Sequence, residues 1–214
     1  MSLTGKNNEE KAWNFLKGKI KNDFGVSGLM GELFAESGLN PQNLQNSYEK
    51  KLGFTDATYT AAVDSGSYAN FVHDSAGYGV AQWTFWSRKE ALLNYVRALG
   101  ASIGDLEAQL GFLYKELSES YPSVLAALKT ATSVRAASDK VLTDFERPAD
   151  QSEAVKIKRA SYGQTYYDKY AKAAASTPSE GGNNMSNSPL VNCTVKSPNH
   201  SGKRTHSIDT LTPH

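Results

Sequence analysis

Apolar residues recur every three or four positions along most of this chain, and one long polar stretch interrupts them. The helical spacing begins near residue 9, stops near residue 37 and returns from residue 87 to about residue 175. Between residues 40 and 83 the sequence is instead rich in Asn, Gly, Ser and Tyr, and residues 78–83 suit a short hairpin. We therefore predict a mainly α (α+β) fold, in which a helical domain carries one insertion with a small β-hairpin or loop.

The overall composition excludes several classes of protein. Lys plus Arg total 23 and Asp plus Glu total 22, so the net charge of +1 provides no general basic field for nucleic acid. No stretch approaches the roughly 18 apolar residues of a membrane-spanning helix, and we expect no membrane insertion. Residues 1–10 carry charges and Asn where a signal peptide has an apolar run, which predicts synthesis in a cytoplasm without a signal peptide.

Composition also divides the chain into three parts. Residues 1–175 hold the helical pattern and are long enough for one core. Residues 176–188 are rich in Gly, Ser, Pro and Asn, and we predict a flexible linker because this composition buries too little apolar surface to fold. Residues 189–214 are too short and too polar to form a core of their own.

A helix predicted over residues 27–37, with Ser27 as its N-cap, places Glu36 in its last turn. The negative end of the helix dipole disfavours a carboxylate there, which favours the neutral form that a general acid requires. Three apolar neighbours can exclude water from it: Leu33, Phe34 and Leu39. Glu32, one turn earlier, is interpreted as a solvated surface residue, with electrostatic coupling to Glu36 as the alternative.

Three motifs occur in order along the chain. Residues 31–41 read GELFAESGLNP, residues 74–84 read DSAGYGVAQWT, and residues 145–148 read FERP. The first two resemble the Glu-Ser and Gly-x-Gly-x-x-Gln signature shared by goose-type lysozymes and lytic transglycosylases. With Arg88 added, the set most resembles the phage tail lysozyme domain of phage structural proteins and endolysins.

This resemblance covers roughly residues 8–170. It implies a lysozyme-like helical fold, bacterial peptidoglycan as substrate and partner, and Glu36 as the general acid. It also implies synthesis in the host cytoplasm and action on the cell wall during phage lysis.

The insertion supplies side chains suited to a glycan. Aromatic rings stack on sugar faces, amides bond acetamido groups, and glycines let the backbone approach a ligand. The residues predicted to bind substrate are Ser37, Tyr78, Gly79, Gln82 and Trp83. For Phe85 and Trp86, burial beneath the loop is at least as well supported as substrate contact.

Hydrolysis also requires a second group opposite the acid, either to activate water or to attack the sugar. Asp74 is the first candidate, because it precedes the glycine-rich loop at a place similar to a water-orienting aspartate of goose-type lysozymes. Asp64 and Asp56 are alternatives, and a turn-capping role for Asp74 is about equally supported. Without such a carboxylate the transglycosylase route gains weight, since there a hydroxyl of the sugar itself attacks.

The remaining charged residues are interpreted conservatively. Arg88, Arg147 and Arg159 are better explained by structural pairing, with Glu146 as an available partner, than by substrate contact. His73 stands alone in a loop, and we predict neither a metal nor a cofactor for the main domain.

The end of the chain carries a second resemblance. Residues 188–204 and the closing Thr-Pro-His of residues 212–214 resemble the opening of zinc-dependent N-acetylmuramoyl-L-alanine amidases of phage endolysins. This implies that residues 189–214 are the truncated start of an amidase domain whose cofactor is zinc. His214 would bind that zinc only in an intact domain.

The sequence thus predicts a muramidase that cleaves the β-1,4 bond between N-acetylmuramic acid and N-acetylglucosamine, within a phage endolysin. A glucosaminidase and a lytic transglycosylase are the alternatives within the same chemistry. An inactive cell-wall-binding module or a structural tail module is the alternative of another class.

Overall fold

The structure is a computed structural model, and it describes residues 3–173. The α-helices of this part of the chain are α1 (Asn8–Ile20), α2 (Asp23–Ser37), α3 (Asn46–Leu52), α4 (Asp56–Asp64), α5 (Trp86–Ala98), α6 (Leu106–Glu119), α7 (Pro122–Lys129), α8 (Val134–Val141) and α9 (Glu153–Tyr166). A 3-10 helix spans Ala69–Val72, and π-helical turns span Leu142–Glu146 and Tyr167–Lys172. The prediction of a mainly α fold is confirmed.

Helix α2 lies at the centre of the fold. It contacts α1, α7, α8 and α9, and its residues 25–33 are all buried. A Cβ added at Gly25 would lie 2.0 Å from Leu128 O on α7, and one at Gly31 would lie 2.5 Å from Gly163 N on α9. Because real side chains do not tolerate such distances, these glycines allow α7 and α9 to pack directly against the α2 backbone.

The start of α2 differs from the prediction. Asn22, not Ser27, caps the helix, since Asn22 Oδ1 accepts a hydrogen bond from the Gly25 N–H at 3.0 Å. Ser27 is fully buried inside the helix. At the other end Gly38, with φ 62°, terminates the helix and leaves Glu36 in the last turn, as predicted.

The insertion is more helical than its sequence pattern indicates. It contains α3 and α4, whose 7 and 9 residues are too few for a clear apolar period. Thr55 and Thr58 form a capping box at the start of α4. The only β-structure within the described residues is a pair of isolated bridges, Leu44–Tyr78 and Tyr78–Trp83, so the predicted hairpin is reduced to single residue pairs.

No helix within residues 3–173 combines the length and the apolar character needed to span a bilayer. The predicted linker of residues 176–188, the amidase-like segment of residues 189–214 and the zinc ligand His214 lie outside the described residues. They stay predictions.

Candidate active site

A groove of about 610 Å³ lies between the C-terminal end of α2, the start of α3 and the loops that precede α5 and α9. Two kinds of polar side chain dominate its lining. The carboxyl groups are those of Glu36 and Glu146, and the carboxamides are those of Asn43, Gln45, Asn46 and Gln82. The groove therefore brings together Glu36 and Gln82, both predicted to act on the substrate, and Glu146, which was expected only as an ion-pair partner.

Glu36 is held by an arginine from α9. Arg159 Nη1 donates a hydrogen bond to Glu36 Oε1 at 2.6 Å, and the Glu36 side chain is 19% exposed. A guanidinium at this distance stabilises an ionised carboxylate, which opposes the effect expected from the helix end. Phe34 does not line the groove. It packs edge to face on Tyr162, with ring centroids 4.9 Å apart.

Glu32 is not the solvated residue that we expected. It is fully buried, and it accepts hydrogen bonds from Ser138 Oγ at 2.6 Å and from Arg159 Nη1 at 2.9 Å. Burial raises the pKa of Glu32, while Ser138 and Arg159 act in the opposite direction. The prediction failed because the helix period could not indicate that α8 and α9 both cover this face of α2.

Glu146 is the last residue of the π-helical turn Leu142–Glu146, and it lines the groove. Part of the residue is exposed to the groove, whereas its Oε1 atom is buried and accepts no hydrogen bond. Burial, followed by the nearby charge of Glu36, raises the pKa of Glu146 well above its ordinary value. A neutral carboxylic acid is therefore favoured at this position.

The pairing expected between Glu146 and an arginine does not form. Arg88 instead donates two hydrogen bonds to Glu116, from Nε at 2.8 Å and from Nη2 at 3.0 Å. Arg159 is engaged by the two glutamates of α2, and Arg147 Nε bonds a backbone carbonyl. The one sequence signal for Glu146 was its place in the FERP motif. In the structure the next residue, Arg147, has φ 50°, which is uncommon for a residue other than glycine.

Asp74 lies in a buried ion pair and not in the groove. Lys89 Nζ donates to its Oδ1 at 2.5 Å, the Ala76 N–H donates to the same oxygen at 2.9 Å, and two tyrosine hydroxyls bond Oδ2. The Asp74 side chain is 0% exposed, so it has no access to a water or a sugar in the groove. The bond to Ala76 matches the turn-capping alternative.

The alternative bases are also placed elsewhere. Asp56 accepts hydrogen bonds from Asn40 Nδ2 and the Leu44 N–H, both at 2.8 Å, and Asp64 accepts one from the Ile103 N–H at 2.9 Å. Neither side chain lines the groove. Asp56 holds the insertion together internally, and Asp64 ties it to the loop before α6.

The aromatic residues are placed differently from the prediction. Those expected to contact substrate are buried, and those for which burial was at least as well supported are exposed. Tyr78 and Trp83 are fully buried, and Trp83 Nε1 donates to Glu116 Oε2 at 2.7 Å. Neither ring can stack on a substrate. Phe85, by contrast, is 62% exposed and lines the groove, and Trp86 is 49% exposed.

The other residues predicted to bind substrate have structural contacts. Ser37 Oγ lies 3.0 Å from Val80 O, which ties the end of α2 to the glycine-rich loop. A Cβ added at Gly79, whose φ is 76°, would lie 2.5 Å from Gln109 Oε1, so this glycine serves packing. Gln82 does line the groove, and its Nε2 donates to Asn43 Oδ1 at 2.8 Å.

The family model for phage tail lysozyme matches residues 7–170 of the chain. No curated protein and no solved structure matches the chain significantly. The matched range spans well over half of the sequence and contains both groove glutamates and the glycine-rich loop between them. The chain therefore belongs to the phage tail lysozyme family, a family of peptidoglycan-lytic enzymes.

Proposed function

We propose that this protein is a muramidase, which cleaves the β-1,4 bond between N-acetylmuramic acid and N-acetylglucosamine in bacterial peptidoglycan, with Glu36 as a catalytic carboxyl group. The observation that carries the proposal is the position of Glu36 in the groove, at the end of a helix that the rest of the fold surrounds. A rigid supporting helix suits a group that must meet one glycosidic bond in a defined geometry.

The rest of the groove suits a glycan chain. Asn43, Gln45 and Gln82 offer carboxamide groups for sugar hydroxyls and acetamido groups. Phe85 offers an exposed ring at the edge of the same groove, and sugar faces pack well on aromatic rings. These polar contacts with one apolar platform favour a saccharide over a purely apolar ligand.

The sequence assigns Glu36 the role of general acid, which gives a proton to the leaving oxygen as the bond to C1 breaks. Arg159 sets a condition on that role. Its guanidinium lies 2.6 Å from Glu36 Oε1, so a glycosidic oxygen must compete with this ion pair for contact with the carboxyl group.

A lytic transglycosylase is the second candidate function. The observation in its favour is that Asp74, the predicted base, lies in a buried ion pair outside the groove. A transglycosylase needs no base for water, because a hydroxyl of the muramic acid attacks C1. A glucosaminidase would use the same groove on the other linkage.

The products of digestion test these functions. Purified peptidoglycan is incubated with the protein, with Glu36→Gln, and with Glu90→Gln, whose glutamate is exposed on α5 and outside the groove. We expect reducing muramic acid ends by mass spectrometry from the wild type and from Glu90→Gln, and almost none from Glu36→Gln. Reducing glucosamine ends would assign a glucosaminidase, and anhydro-muramic ends a transglycosylase.

A wild-type protein that releases no fragments but sediments with peptidoglycan would overturn the proposal and leave a wall-binding module. An endolysin role is proposed together with the activity. It predicts lysis when the protein is added to bacterial cells whose outer barrier has been opened.

A further inference from the structure

We propose that Glu146 is the second catalytic carboxyl group of the groove, and that it gives the proton to the leaving oxygen while Glu36 acts as the carboxylate. This inference rests on the proposed glycosidase function and assigns its two chemical roles. It replaces Asp74, Asp64 and Asp56, none of which lines the groove.

The first support is placement. Glu36 and Glu146 are the carboxyl groups that line the groove among the described residues, and they enter it from separate elements, α2 and the π-helical turn. Cleavage of a glycosidic bond uses two carboxyl groups that flank the bond. The groove supplies two carboxyl groups, one from each of these elements.

The second support is the unpartnered oxygen of Glu146. Buried polar atoms in folded proteins nearly always have a hydrogen-bond partner, and an exception at a site needs an explanation. Glu146 Oε1 is buried and has no partner. An ionised carboxylate with an oxygen buried in this way is costly, so the missing partner supports a neutral, protonated Glu146, whose less buried part lines the groove.

The third support is the unequal distribution of cations. Arg159 contacts Glu36 at 2.6 Å, whereas Arg88 is engaged in two hydrogen bonds with Glu116. The charged groups that act on Glu146 are Glu36 and Glu32 of α2, Arg88 of α5 and Arg159 of α9.

Together with burial, the two glutamates raise the pKa of Glu146, and the two arginines only partly oppose them. A carboxyl group with a raised pKa beside a second carboxyl group in one groove is a usual candidate for the acid of such a pair.

The local backbone holds Glu146 in place. The ring of the preceding residue, Phe145, is buried and packs edge to face on Tyr121, with centroids 4.9 Å apart. The Arg147 N–H closes the π-helical turn by a 2.8 Å hydrogen bond to Leu142 O. The carboxyl group is therefore carried by an anchored turn and not by a free loop.

The reaction balances with these two groups. Glu146 transfers its proton to the leaving oxygen as the C1–O bond breaks, and that oxygen keeps the bonding electron pair. Water adds to C1, and the Glu36 carboxylate accepts the proton that this water loses. Glu36 then releases a proton to solvent and Glu146 takes one up, which restores both groups.

The test compares two substrates. A dinitrophenyl glycoside of the wall disaccharide has a leaving group that needs no proton, whereas the glycan strand of peptidoglycan does need one. For Glu146→Gln we expect a loss of at least about 100-fold in kcat/KM on the glycan and a loss within about tenfold on the aryl glycoside. Glu36→Gln should lose activity on both substrates, and Glu90→Gln on neither.

A second measurement uses the glycan alone. The fall in kcat/KM on the alkaline side of the wild-type pH profile should disappear in Glu146→Gln, because that variant has no donor proton to lose. Thermal unfolding of each variant shows whether it is folded at the assay temperature.

Wild-type glycan cleavage by Glu146→Gln, or equal losses on both substrates with an unchanged pH profile, would overturn the inference. The absence of glycan cleavage by the wild type would instead contradict the proposed function, so the two failures are distinguishable.

Discussion

Arg159 reaches across the fold to place Nη1 2.6 Å from Oε1 of Glu36, a residue 123 positions earlier in the chain. The same nitrogen lies 2.9 Å from Oε2 of the buried Glu32. One guanidinium thus links α9 to two successive turns of α2. The ion pair both supports the groove and favours the ionised form of its first carboxyl group.

Replacement of Arg159 should cost stability as well as activity. Arg159→Met leaves the carboxyl group of Glu32 buried without its cation, and we expect the free energy of unfolding in urea to fall by about 3 kcal/mol. Arg135→Met is the control, because its ion pairs with Asp139 and Glu153 are partly exposed. It should change stability much less than Arg159→Met does. Equal losses in the two variants would contradict this interpretation.

The close contact between α2 and α9 depends on Gly31, which has no side chain. Gly31→Ala would place a Cβ 2.5 Å from Gly163 N, and we expect urea unfolding to show a loss of about 1–3 kcal/mol. Activity should fall too, because α9 carries Arg159. Gly18→Ala in α1 meets nothing within 4 Å and should gain about 0.5–1 kcal/mol. A neutral Gly31→Ala would show that the helices can separate freely.

The stability of the protein should depend on pH through Glu146. Because its pKa is raised in the folded state, the folded protein holds this proton more tightly than the unfolded chain. The resulting stability is fully present below the ordinary pKa of 4.5 and is lost as pH rises through the raised pKa. Glu146→Gln has no such proton, so its free energy of unfolding relative to wild type should increase with pH.

Urea unfolding of both proteins across a series of pH values measures this difference. The slope approaches about 1.4 kcal/mol per pH unit within the window between the two pKa values. Glu32, Glu36, Arg88 and Arg159 are present in both proteins and largely cancel. A difference that stays constant with pH would contradict the assignment of a protonated Glu146.

Asp74 should prove structural and not catalytic. Asp74→Asn leaves Lys89 fully buried without its carboxylate, and we expect a loss of about 3 kcal/mol in the free energy of unfolding. Cleavage of peptidoglycan per folded molecule should stay near the wild-type rate, because the residue lies outside the groove.

The double variant Asp74→Asn/Lys89→Met is the control for this pair. It should recover part of the stability, since no unpaired charge is left in the core. A loss of more than about 100-fold in the rate of the folded single variant would restore the sequence-based role of Asp74 as the base.

Local patterns were sufficient for much of the fold. The apolar period predicts the main helices, and Gly38 with the polar stretch after it places Glu36 at a helix end. The short helices α3 and α4 were missed, because one or two turns hold too few apolar residues to show a period. The capping of α4 by Thr55 and Thr58 was visible only in the structure.

The prediction that Tyr78 and Trp83 contact substrate is wrong for a different reason. Tyr78, Trp83 and Phe85 are similar as sequence signals, yet only Phe85 is exposed. Trp83 is buried with its indole N–H donating to Glu116 of α6 at 2.7 Å, and Tyr78 is buried with its hydroxyl 2.6 Å from Thr60 Oγ1. Aromatic residues in the sequence therefore do not distinguish a substrate-binding surface from the core. The packing of neighbouring helices decides which of them are buried.

The sequence by itself determined the longer helices, the turn that carries Glu36 and the motifs that mark the family. Only the tertiary structure decided which charges meet: Arg159 with Glu36, and Lys89 with Asp74, while Glu146 has a buried oxygen without a partner. The physical reason is that hydrogen bonds and ion pairs depend on distances of a few ångströms. Those distances are set by how elements far apart in the sequence, such as α2 and α9, pack together, and no local pattern of residues encodes them.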